Sequence, residues 1–338
     1  VSGLDLLLLP VALLALVAAA LAPIEALGWW AGWSDDDRDL RDTARAIRTA
    51  PDRTPPVAAP HFAVFLTGIA GITGDAVLPP DRAFLERLRV HLPDCVIVHD
   101  VFPYSVDNRG LTGGRRRLAR VWRWLDAHVT AEPDSPLRWA VNFRNVLQVA
   151  VSADRRYGPA YNLGVAAEIL LGLSRHGYRL GSGVPLTLIG SSGGAQIALG
   201  ACDYLGRLIP APVQIVSIGG TLSDDPGIEA VDRLDHLHGT HDLVPRIVAA
   251  LYPGRWPFVF WSPWNRAVQR GTVVRRDIGA MNHEGSGGYF GSRRLPDGQT
   301  HAEHTAAACG EVVRAFLASV APMEKAAGEA APAEKVGR

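Results

Sequence analysis

Short apolar runs alternate with longer amphipathic stretches from His61 to about Val320. The runs at 62–67, 95–100, 186–189, 213–218, 234–238 and 272–278 are rich in Val, Ile, Leu and Phe and are bounded by Gly, Pro or Asp. Runs this short, with such borders, predict buried strands. Between them lie stretches with apolar residues at helical spacing. Asp81 to Leu92 places Phe84, Leu85, Leu88 and Leu92 on one face, with Asp81 as the expected N-cap. Ala160 to His176 carries Tyr161, Val165, Ile169 and Leu173 in a stripe, and Gly177 ends it. Ala195 to Leu205 and Ala302 to Val320 complete the set. Strands that are apolar on both faces, alternating with helices, predict an α/β fold. It has a mostly parallel sheet of about six strands with helices on both faces.

The N-terminus has a different pattern. Leu6 to Ile24 contains no charged residue, and Trp29, Trp30 and Trp33 follow. Nineteen helical residues span about 28 Å, close to the apolar thickness of a bilayer. Residues 1–33 therefore read as a single-pass membrane anchor with an interfacial aromatic belt. A cleaved signal peptide is the alternative, although no basic residue precedes the apolar run. Arg38, Arg41, Arg45 and Arg48 beyond it lean toward a cytoplasmic location. Residues 34–60 read as a linker, with a short helix at about Asp39 to Thr49 and a proline-rich spacer.

Two insertions interrupt the alternation within the main domain at 61–320. Residues 101–157 include the basic amphipathic stretch Gly113–Leu125, suited either to an anionic lipid surface or to packing on the domain. Residues 246–271 are dense in Trp, Phe and Pro, as an acyl pocket, a lipid-facing loop or a core-closing loop would be. The Ala-, Glu- and Lys-rich end, 321–338, reads as a disordered tail.

Composition narrows the function. Across 338 residues, 48% are hydrophobic, and 34 basic residues balance 34 acidic ones. That balance argues against nucleic acid as a partner. Cys95, Cys202 and Cys309 are too widely spaced for a disulfide framework or a metal motif and read as small buried hydrophobes.

The chemistry concentrates at Gly190-Ser191-Ser192-Gly193-Gly194, between the strand at 186–189 and the helix at 195–205. G-x-S-x-G in that context places Ser192 on a sharp turn with its hydroxyl exposed. A plain strand–turn–helix is the bland alternative. The run lacks the Lys of a phosphate loop and the G-x-G-x-x-G of a dinucleotide fold. A nucleophilic serine needs a base, and the base needs an acid to orient it. Asp242, in the turn after the fifth strand, is the candidate acid; serving its own turn is its alternative role. Asp235 lies inside the strand and is a weaker choice. His283, in a glycine-rich loop after the sixth strand, is the candidate base, with His301 and His304 as rivals.

With the order Ser192, Asp242, His283, the chain resembles the α/β-hydrolases, in a serine esterase or lipase-like form. The resemblance covers roughly 61–320. It rests on Gly190-x-Ser192-x-Gly194, Gly239-x-x-Asp242-x-x-Pro245, the His283 loop, and the strand from His61 into Gly68, Gly71 and Gly74. It implies an oxyanion hole made by the backbone of Ile69 or Gly68 and of Gly193. Thr67-Gly68 stands where His-Gly is common in the superfamily, which leaves Ile69 and Gly68 both open. Two leading antiparallel strands often seen there have no room here, so a reduced sheet is expected. The resemblance implies a serine hydrolase of carboxylic esters with no metal or cofactor; the N-terminal apolar run adds a membrane anchor and, with the tryptophan-rich segments, membrane lipid as a partner and lipid esters beside small-molecule esters as substrates. A non-catalytic binding or scaffolding module, and a peptidase or acyltransferase with the same triad, are the alternatives.

Overall fold

The structure is a computed structural model that describes residues 36–49, 55–69, 77–104 and 124–330, apart from 126, 130, 131, 133, 134 and 136. The expected membrane anchor, residues 113–123 of the basic segment, and residues 331–338 lie outside the described residues. Among the described residues, no helix is long and apolar enough to cross a membrane.

In chain order the elements are α1 (Asp36–Thr49), β1 (His61–Leu66), α2 (Pro79–His91), β2 (Cys95–Val98), α3 (Arg138–Ala153), α4 (Gly158–Arg175) and β3 (Leu186–Ser191). There follow α5 (Gly193–Leu205), β4 (Val213–Ile218), β5 (Arg233–His238), α6 (Val244–Leu251), α7 (Pro263–Gln269), β6 (Val273–Asp277) and α8 (His301–Ala330). All six strands are parallel, in the order β2-β1-β3-β4-β5-β6.

Alternation along each strand feeds two cores. Phe62, Val64 and Leu66 of β1, with Leu186 and Leu188 of β3, pack with α1, α4 and α5 on one face. Ala63, Phe65 and Ile189 pack with Phe84 and Leu88 of α2 and Val312 and Val313 of α8 on the other. Each large apolar side chain buried in this way contributes about 1.5–3 kcal/mol. A polar row also crosses the sheet. His61 lies 2.9 Å from the Thr187 hydroxyl, Thr187 donates to Gln214, Gln214 donates to Asp235, and Asp235 pairs with Arg233 and Arg276. His61, Thr187, Gln214 and Asp235 are buried, so the cost of removing them from water is offset by this chain of bonds, with Gln214 also donating to the Val312 carbonyl.

Two expectations need correction. Asp81 does not cap its helix. Leu78 is the N-cap residue, and Pro79 and Pro80 open the helix. Neither proline has an N–H in need of an acceptor, which removes much of the demand for a capping side chain. Second, the last helix does not stop at Val320; it continues to Ala330. The Ala, Glu and Lys in a stretch that its composition, Pro included, marks as disordered are also strong helix formers.

Candidate active site

The strand order reverses between β1 and β3. From β1 the chain moves outward to β2, then returns to β3 on the other side and continues away. Carboxyl ends of neighbouring strands that part in this way leave a crevice, where open α/β sheets place ligands. Leu66 of β1 is in register with Gly190 of β3. Gly68 and Ser192, each two residues further on, therefore meet at the crevice. A Cβ on Gly68 would stand 3.3 Å from Ser192 Cβ.

Ser192 is the hinge between β3 and α5, with φ 49° and ψ −120°. Among the described residues it is the one non-glycine with positive φ. The backbone there is strained by about 1–3 kcal/mol. Its surroundings hold it in place. Ser192 N–H donates to the Ile218 carbonyl, and its own carbonyl accepts from Ala195 and Thr221. The two flanking glycines of the motif are steric requirements: a Cβ at Gly190 would overlap Ala195, and one at Gly194 would overlap the Leu66 and Thr67 carbonyls.

Ser192 Oγ lies 2.9 Å from His283 Nε2, and His283 Nδ1 lies 2.9 Å from Asp242 Oδ2. An ionised carboxylate can only accept, so Nδ1 carries the proton and Nε2 faces the serine hydroxyl as an acceptor. Asp242 is buried, and its two oxygens divide the work. Oδ1 accepts from Val244 N–H, which serves the turn into α6. Oδ2 accepts from His283 and, at 2.7 Å, from the Tyr289 hydroxyl. Burial opposes ionisation of Asp242, but the bonds from His283, Tyr289 and Val244 outweigh it and hold its carboxyl below the usual range.

The three sequence candidates therefore converge, and the rival histidines do not join them. His301 is buried, with Nδ1 2.9 Å from the Gly287 carbonyl, so it braces the loop that carries His283. His304 lines a different hollow, beside Asp277 and Glu311. Asp235 belongs to the polar row of the sheet.

Gly68, Ile69 and Ser192 line a cavity of about 550 Å³ together with His283, Asp81 and Phe290. Gly193 opens α5, where a helix leaves its first N–H groups without internal acceptors. Among the described residues, the N–H groups of Gly68, Ile69 and Gly193 donate no hydrogen bond. Gly68 and Ile69 line the cavity, and Gly193 directly follows Ser192. No residue of 246–271 lines this cavity. That segment instead helps form an apolar surface beyond Asp242, with Leu243, Ile247, Leu251, Phe258, Phe260 and Trp261 all more than half exposed.

Sequence reasoning missed three residues. Tyr289 accepts from Gly239 N–H while donating to Asp242, and so ties the acid's turn to the base's loop. Asn145, fully buried on α3, donates to the Ile69 carbonyl at 2.6 Å. Asp81 stands on the cavity wall rather than at a helix cap. For Tyr289 the one sequence signal is its place in the His283 loop; for Asn145 there is none. No family model matches the chain, and a search of curated proteins finds no match.

Proposed function

We propose that the chain is a serine hydrolase of carboxylic esters, built as an α/β-hydrolase-like domain. The observation that carries this reading is the hydrogen-bonded line from Ser192 Oγ through His283 to Asp242, beside N–H groups that have no partner among the described residues. A binding module has no need for three side chains from separate loops to meet in that order.

The chemistry follows from the geometry. Ser192 Oγ attacks the acyl carbon as its proton passes to His283 Nε2. The carbonyl oxygen becomes an oxyanion held by Gly193 N–H and by Ile69 or Gly68 N–H. Each such donor is worth about 3 kcal/mol to the transition state. The tetrahedral species collapses, the carbon–oxygen bond to the alcohol breaks, and the alkoxide takes the proton from Nε2. Water then attacks the acyl-serine with Nε2 as base, releasing the acid and restoring Ser192. Asp242 keeps the imidazole in the required tautomer and stabilises its cation.

The same reading includes a membrane lipid surface as the working place, with residues 1–33 as the anchor. Its support is the exposed apolar surface of Leu243, Ile247, Leu251, Phe258, Phe260 and Trp261, next to the turn that holds Asp242. Exposed patches of this kind mark contact with protein or lipid.

The test is covalent labelling with a fluorophosphonate probe, read by peptide mass spectrometry. Adduct on Ser192, absent in Ser192→Ala, is the expected result. A wild-type protein that stays unlabelled and hydrolyses no simple ester overturns the reading.

A further inference from the structure

Two acidic side chains that the mechanism above does not use line the cavity: Glu284, which is exposed, and Asp81, which is buried. Asp81 sits at the third position of α2, is 8% exposed, and lines the cavity that holds Ser192 and His283. Among the described residues, no hydrogen bond or ion pair reaches its carboxyl. Ile69, Leu78, Pro80 and Phe290 supply the apolar part of the wall, and Arg138 and Glu284 its other charged side chains beside His283. A carboxyl held in this setting loses hydration and gains nothing in return. Burial alone pushes it up to about 7. The helix N-terminus nearby offsets only part of that cost. The missing partner is a donor, and the cavity is where a donor would come from.

We infer that Asp81 is a specificity residue, and that the ester this site takes carries a hydroxyl or ammonium group that donates to the Asp81 carboxyl. The inference rests on the hydrolase reading. It narrows the substrate class from esters in general to esters with a hydrogen-bond donor within reach of the reacting carbonyl. A cavity of about 550 Å³ suits a small or medium ligand. A purely hydrocarbon ester would bury the carboxyl without a partner, which selects against it as well as failing to attract it.

The experiment compares kcat/KM within matched ester pairs, on the full chain. Monobutyrin is set against butyl butyrate, dimethylaminoethyl butyrate against isopentyl butyrate, and nitrophenyl hydroxyhexanoate against nitrophenyl heptanoate. The first two place the donor on the alcohol side and the third on the acyl side. Wild type should prefer the donor-bearing member of at least one pair by about tenfold or more, as a charge-assisted hydrogen bond supplies. Asp81→Leu should bring that ratio to about one. Asp81→Asn keeps an acceptor oxygen but no charge, so it should abolish an ammonium preference and retain part of a hydroxyl preference. Ratios within about twofold in wild type for all three pairs, while Ser192 labels normally, overturn this inference and leave the hydrolase reading intact. A preference that survives Asp81→Leu overturns it equally. Absence of Ser192 labelling removes both.

Discussion

Tyr289 donates its hydroxyl proton to Asp242 Oδ2, the same oxygen that accepts from His283. The acid therefore has a second anchor, and that anchor also receives Gly239 N–H. Burial, with the neighbouring Asp242 carboxylate, raises the Tyr289 phenol well above its usual range, so it remains a donor at any working pH. Tyr289→Phe should lower kcat about tenfold and destabilise the fold by about 1–2 kcal/mol, because Gly239 N–H and Asp242 both lose a partner. Ester kinetics together with urea unfolding check this. An unchanged kcat would show that His283 and Val244 N–H suffice to fix the carboxylate.

Asp242→Asn should leave the backbone turn in place and cost about 10⁴-fold in kcat, because the amide no longer stabilises the correct imidazole tautomer. Fluorophosphonate labelling should slow in parallel. A loss of less than about tenfold would remove Asp242 from the role of orienting acid.

The positive φ at Ser192 makes a stability prediction opposite in sign to the activity prediction. Ser192→Gly relieves the strain and should exceed Ser192→Ala in unfolding free energy by about 1 kcal/mol, with both inactive. Gly194→Ala should do the reverse and destabilise by more than about 2 kcal/mol, since its Cβ meets the Leu66 carbonyl. Thermal unfolding of the three variants separates strain from chemistry.

Asn145→Ala frees the Ile69 carbonyl and loosens the segment that presents the Gly68 and Ile69 N–H groups. Its effect should fall on kcat, by about ten- to a hundredfold, with KM little changed, because the oxyanion appears only in the transition state. A change confined to KM would place Asn145 outside catalysis.

Acid stability depends on two opposed pairs. Burial lowers His61 to about 4 and, helped by Arg255, His238 and Arg275, lowers His236 to about 3. Between these values and about 6.5 the unfolded chain binds more protons, so each histidine makes stability fall as pH falls. Burial raises Asp81 to about 7 and Asp225 to about 6. Above about 4 and up to these values the folded chain binds more protons, so each carboxyl makes stability fall as pH rises. Wild type should be nearly flat from pH 4 to 6. His61→Gln should tilt the curve toward greater stability at the acid end, by about 1.4 kcal/mol per unit. Asp81→Leu should tilt it the other way. Urea unfolding at stepped pH reads both slopes.

The parts of this structure legible in the sequence are those written in local pattern. Val213–Ile218 is apolar on both faces and bounded by Pro and Gly, and the strand occupies those residues. Ser192 was marked by glycines whose purpose is steric, and Asp242 and His283 by their places after the last two strands. The role of Asp81 is not legible in local pattern, because a carboxylate before an apolar stripe usually caps, whereas here Pro79 and Pro80 remove the need for a cap. Tyr289 could not be read at all. Its contact with Asp242 joins loops 47 residues apart and exists only once both have folded against the sheet.

The reacting pair, Ser192 and His283, are 91 residues apart, and the second lies in the loop beyond the outermost strand β6, which pairs with β5. Every strand contact in this sheet is made by a crossover rather than a hairpin, the kind of pairing that forms slowly during refolding. Partially assembled chains can hold β1, β3 and β4 together and still lack a base. Recovery of turnover after dilution from denaturant therefore reports completion of the outer half of the sheet, later than any signal from the central strands.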